Sequence, residues 1–90
     1  MNGPVNGRAR VLVVDDDFLA RLLIGEALRA EGFEVEEAEN GEIALADFAE
    51  RPFDLVLLDV MMPGLDGFAT CSRLRELPNG RHAWISRMPP

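Results

Sequence analysis

Ninety residues leave room for one small domain with a single core. A formal charge of −7 opposes binding to nucleic-acid phosphates, no apolar run is long enough to span a bilayer, and the lone Cys71 excludes an internal disulfide. MNGPVNGRAR carries no apolar signal segment, so the expected location is the cytoplasm; residues 1–7 read as a flexible leader to a domain over residues 8–90.

The first element is an unbroken apolar run, Val11, Leu12, Val13 and Val14, which ends on Asp15, Asp16 and Asp17. Runs this short, bounded by turn residues, suit strands buried on both faces of a parallel sheet. Phe18, Leu19, Leu22, Leu23, Ala27 and Leu28 then recur at helical spacing, with Asp17 as N-cap and Gly32 as the stop. Residues 34–38, EVEEA, form a polar strand candidate suited to a sheet edge, although a plain connector fits them too. Asn40 caps a second helix carrying Ile43, Leu45, Phe48 and Ala49, and Arg51-Pro52 ends it.

A second apolar run over residues 55–58 ends on Asp59, and Pro63-Gly64 turns the chain soon afterwards. Asp66 caps a third helix with Phe68, Cys71 and Leu74 on one face, closed by Pro78-Asn79-Gly80. Residues 83–86 are candidates for the start of a fourth strand. Strands alternating with helices imply an α/β fold with a parallel sheet and right-handed crossovers.

Both buried strands deliver carboxylates to the same sheet edge, where ligands of open α/β sheets bind. If the strands are neighbours, Asp15, Asp16 and Asp59 converge and repel, the more so when buried. A hard divalent cation with oxygen ligands relieves that repulsion, and Mg²⁺, which typically takes one or two carboxylates and keeps several waters, fits best. A backbone carbonyl just past Asp59 would complete the sphere. A carboxylate beside such a cation can attack phosphorus, and Asp59 is the better nucleophile because its strand is central. Other candidates have plainer readings. Asp17 and Asp66 are caps, Cys71 packs in the core, His82 sits alone in a turn, Trp84 is either core or an exposed contact, and the acids of residues 34–42 form a solvated surface.

VLVVDDD, a helix, and then FDLVLLDVMMPGLDG together resemble the receiver domain of two-component response regulators, over about residues 8–82. The resemblance implies a flavodoxin-like fold with sheet order 2-1-3 and a partial fourth strand, an incomplete version of five βα units ending after the third. It implies that Asp59 is the phosphoacceptor, charged by a histidine kinase or phosphotransfer protein. It also implies that Asp16 ligates Mg²⁺ directly, Asp15 largely through water, and the Met61 carbonyl as third protein ligand. Pro63 and Gly67 match the family's loop after the acceptor.

The chain departs from the family in having no lysine, although the family places one on its fifth strand to meet the phosphoryl group. The family's switch Ser/Thr position falls near Pro89. An alternative function is therefore a docking or dimerising module that is not phosphorylated, or an inactive fragment of a larger regulator. With three strands the 55–58 strand would be an edge open to a second or swapped copy, unless residues 83–86 pair with it.

Overall fold

The unbroken apolar run after Ala9 forms β1 (Arg10–Val14), whose four valine and leucine side chains are fully buried. The computed structural model describes residues 8–59, 67–77 and 84–88. Around β1 come α1 (Phe18–Ala30), β2 (Glu34–Ala38), α2 (Gly41–Glu50), β3 (Leu55–Asp59), α3 (Gly67–Glu76) and β4 (Trp84–Met88). The sheet is parallel throughout, in the order β2-β1-β3-β4. β1 pairs Val11 with Leu55 and Val14 with Leu58 on one side, and Val14 with Ala38 on the other. At the opposite sheet edge Arg10 and Asp54 clamp each other: the Arg10 amide donates to Asp54 Oδ2 and the Asp54 amide to the Arg10 carbonyl, both at 2.8 Å. Among the described residues no helix is long and apolar enough to cross a membrane.

β4 pairs along the whole of β3, Leu55 with Trp84 through Asp59 with Met88. The fourth strand therefore begins one residue later and runs two residues further than expected, β3 is interior, and the terminal strand is β4. β3 also departs from the expectation of burial on both faces. Val56 and Leu58 are fully buried, whereas Leu55 and Leu57 are half-buried. Val56 and Leu58 join Leu12, Val14, Ala44, Phe48, Phe53 and Leu74 in the core between the sheet and helices α2 and α3. Leu55 and Leu57 share the opposite face with Val11 and Val13, and there α1 packs on β1 and β2.

The helix ends follow their capping chemistry. Asp17 Oδ1 accepts from the Leu19 amide at 3.0 Å, and Asn40 Oδ1 accepts from the Ile43 amide at 2.8 Å, each satisfying an otherwise orphaned donor. At the other end of α1 Gly32 takes φ +98°, with Gly32 donating to the Arg29 carbonyl and Phe33 to the Leu28 carbonyl, a Schellman termination.

The packed faces differ in part from those expected. On α1, Phe18, Leu19 and Leu23 are 65%, 59% and 62% exposed and Ala27 is exposed too, while the expected Leu22 and Leu28 are half-buried and turn inward with Arg21, Ile24 and Gly25. On α2 the inward stripe is Gly41, Ala44, Leu45 and Phe48, leaving Ile43 and Ala49 exposed. Among the described residues of α3, Thr70 and Leu74 are fully buried, with Cys71 half-buried against the core as expected.

Nor do the acids of β2 form a plain solvated surface. Glu34, Glu36 and Glu37 are half-buried and pair with Arg10, Arg51, Arg21 and Arg29 across the sheet and to the helices. Such partly exposed pairs contribute roughly 0–1 kcal/mol each. Two of them, from Arg21 and Arg29 to Glu37, tie α1 to β2.

Gly25 stands where α1 approaches Glu37. A Cβ there would lie 3.0 Å from Glu37 Oε2 and 3.3 Å from Arg29 Nη1, both ends of flexible side chains. Gly25→Ala gains about 1 kcal/mol of helix propensity and forces these ends aside, weakening pairs of comparable worth. The expected net change in urea-unfolding free energy is within about 1 kcal/mol of zero, and Gly25→Val, with its branched side chain, should be clearly destabilising. A loss above ~2 kcal/mol for Gly25→Ala would show that the α1–β2 contact cannot relax.

Candidate acidic site at the carboxyl edge of the sheet

The parallel register carries β1 and β3 to the same edge, so the residues that follow Val14 and Leu58, Asp15 and Asp59, arrive side by side. One carboxylate oxygen from each of Asp15, Asp16 and Asp59 lies within 4.8 Å of the others. Asp15 is 7% exposed, Asp59 is half-buried and Asp16 faces solvent. All three expected acids are thus brought together. Asp17 is a cap, as its spacing suggested.

Asp15 is gripped from several directions. Its amide donates to the Ala38 carbonyl at the end of β2, 3.1 Å away, and its Oδ1 accepts from the Asp17 amide at 2.9 Å. Its main-chain carbonyl accepts from Arg21 Nη1 at 2.8 Å. Burial pushes the Asp15 carboxyl above its ordinary value, reinforced by the Asp59 carboxylate, a hydrogen bond with Asp59 and the Asp16 charge, while the Asp17 amide opposes the rise. A carboxyl whose value is raised by folding adds stability below the ordinary carboxylate range and loses it as the pH climbs through the raised value. At neutral pH the ionised cluster therefore works against the fold.

A bound cation would reverse that sign. The donors are all carboxylate oxygens, hard ligands suited to Mg²⁺. Met61, Pro63, Gly64, Asp66, residues 1–7, Pro78-Asn79-Gly80 and His82 lie outside the described residues, as do the side chains of Phe68 and Trp84. Arg21 is the site residue that sequence reasoning missed. Its signal was present: it follows Asp15 by six residues, on the first turn of a helix that starts at the acids.

Comparison with known proteins gives one consistent answer. Residues 11–86 match the response regulator receiver domain model. The chain is 46% identical over 67 residues to the transcriptional regulatory protein ResD of Bacillus subtilis, covering 74% of this chain and 28% of ResD. It spans less than a third of the curated relatives it first matches. The receiver domain of the sensor histidine kinase PA1611 from Pseudomonas aeruginosa, with magnesium in its active-site cleft, superimposes with TM-score 0.87 at 27% identity, over 91% of this chain and 67% of that one. The response regulator TrrA of Thermotoga maritima, in complex with the histidine kinase ThkA, gives TM-score 0.80 at 42% identity, over 88% and 66% of the two chains.

Proposed function

Because this chain belongs to the response regulator receiver domain family, a family of phosphoacceptors in two-component signalling rather than enzymes with a separate substrate, we propose that Asp59 accepts a phosphoryl group from a histidine kinase or phosphotransfer protein. The observation that carries the reading is the convergence of Asp15, Asp16 and Asp59 at one strand edge. An Asp59 oxygen attacks phosphorus in line, the O–P bond forms as the P–N bond to the donor imidazole breaks, and the electron pair returns to the imidazole nitrogen. Asp59 suits the role because its strand lies inside the sheet, and half-burial leaves its carboxylate reachable by a partner.

Asp16, Asp15 and Asp59, with the Met61 carbonyl, would hold Mg²⁺. When bound, the ion offsets the charge on the carboxylates and on the phosphoryl oxygens. Asp15 and Asp16 then supply the negative charge that keeps it there, and the hydrogen bond from the Asp15 amide to the Ala38 carbonyl holds that charge to the end of β2. A receiver of this kind works in the cytoplasm, where its kinase presents phosphohistidine. A second copy would associate through the outer edge of β4, the terminal strand opposite β2 among the described residues.

The test is intact mass after incubation with Mg²⁺ and a small phosphodonor such as acetyl phosphate. One added phosphoryl group is expected, prevented by EDTA and reversed by hydroxylamine. No adduct on a chain with a cooperative thermal melt would overturn phosphoacceptance and leave a docking module.

A further inference from the structure

Arg21 reaches the acidic turn from the first turn of α1 and is bound on three sides. Its Nη1 donates to the Asp15 carbonyl at 2.8 Å, its Nε lies 3.3 Å from Glu37 Oε1 on β2, and its guanidinium carbon stands 5.6 Å from the centre of the Phe18 ring. The side chain is only 13% exposed. The carbonyl it holds belongs to the peptide linking Asp15 to Asp16. That peptide is planar, so fixing its carbonyl fixes the direction in which the chain leaves Asp15 and enters Asp16. The Asp15 amide is meanwhile tied to Ala38, the residue after Glu37. The turn is thus strapped to β2 twice, once directly and once through Arg21 and Glu37.

We propose that Arg21 is a positioning residue: with Glu37 as its anchor, it holds the Asp15–Asp16 peptide so that both carboxylates present oxygens to one divalent cation. This rests on the reading that these acids bind Mg²⁺. Charge alone makes the opposite demand. A guanidinium beside a cation site repels the cation, so removing it would tighten binding if its field were what mattered. Pairing with Glu37 offsets that field and leaves the geometric role. A lysine could not replace it, since one ammonium cannot match a planar fork that serves Nη1 and Nε partners at once.

The experiment is a calorimetric Mg²⁺ titration of the 90-residue chain, with Arg21→Gln, Arg21→Lys, Glu37→Gln and Arg29→Gln alongside. Thermal melts in EDTA record whether each variant folds. Arg21→Gln should weaken Mg²⁺ binding about tenfold, as loss of an outer-shell partner does. Arg21→Lys should also weaken it despite keeping the charge, and Glu37→Gln should weaken it to a smaller degree. Arg29→Gln removes a second guanidinium from Glu37 without touching Asp15 and should leave the affinity unchanged. If Arg21→Gln does not fold, Arg21→Lys and Glu37→Gln carry the test. Equal or tighter Mg²⁺ binding by folded Arg21 variants would overturn the positioning role while the metal site stands. Absence of Mg²⁺ binding by the unaltered chain would overturn both.

Discussion

Asp59→Asn should leave the chain folded and wholly unable to take up a phosphoryl group. The amide has nearly the shape of the carboxylate, so β3 keeps its pairing with β1 and β4, but a neutral amide oxygen is not a competent nucleophile for phosphorus. Intact mass with Mg²⁺ and acetyl phosphate reads the loss directly. An adduct of unaltered extent on the variant would place the acceptor elsewhere.

The same substitution should raise the melting temperature in EDTA at neutral pH. The Asp59 charge is one of the causes that push the Asp15 carboxyl upward, after burial itself. Removing that charge lowers the folded-state value of Asp15 towards its ordinary range, so less stability is lost when the pH climbs from acid to neutral. Relief of a like-charge contact in a partly solvated site is worth on the order of 1 kcal/mol, or about 4–8 °C in a chain of this size. The gain should shrink when Mg²⁺ is present, because the cation already neutralises the unaltered site.

Phe48→Ala should remove about half of the stability of the chain. Phe48 is fully buried on α2, and its ring stacks on Phe53 with centroids 5.9 Å apart and planes 24° apart. Replacing such a ring by a methyl group costs about 3–5 kcal/mol, partly lost transfer energy and partly the cavity left behind. A domain of this length has about twice that in hand, at roughly 0.05–0.15 kcal/mol per residue. The urea midpoint should therefore fall by about half or more, with Phe48→Leu recovering part of the loss.

Mg²⁺ affinity should suffer as well, because Phe48 packs in the cluster that holds Val14 and Leu58, the residues immediately before Asp15 and Asp59. A destabilisation below ~1 kcal/mol would mean that the site collapses around the smaller side chain.

The acids were legible because their signal is local. An unbroken apolar run followed at once by a carboxylate places that carboxylate at a strand end, whatever lies on the strand's flanks. The inward face of α1 was not legible, for a physical reason. Apolar residues occupy most of its circumference, so a helical period fits Phe18, Leu19, Leu23 and Ala27, which are exposed, as well as it fits Leu22 and Leu28, which are half-buried. What decides between them is long-range: Arg21 and Arg29 meet Glu37 of β2, and Gly25 lets the helix approach it. The alternating burial of β3 is of the same kind, since helix cover on each face depends on the assembled sheet. The six-residue step from Asp15 puts Arg21 near the acids, but its anchor Glu37 lies on another strand and its target is a main-chain carbonyl, so the spacing alone does not single it out.

The place of β1 in the sheet also bears on how the chain assembles as it is made. The first strand carries four fully buried apolar side chains, and both strands that flank it are synthesised later. Arg10 must wait for Asp54, 44 positions on, before its amide finds that partner. At ribosomal rates of about 5–20 residues per second, the nascent strand spends roughly two to nine seconds without its second neighbour. During that interval the β3-facing edge of Val11 to Val14 has no strand to pair with, the kind of exposed edge chaperones shelter. The acidic cluster cannot exist until the wait is over, so the earliest moment at which the newborn chain can capture a cation coincides with the closing of its longest strand-to-strand loop around β1.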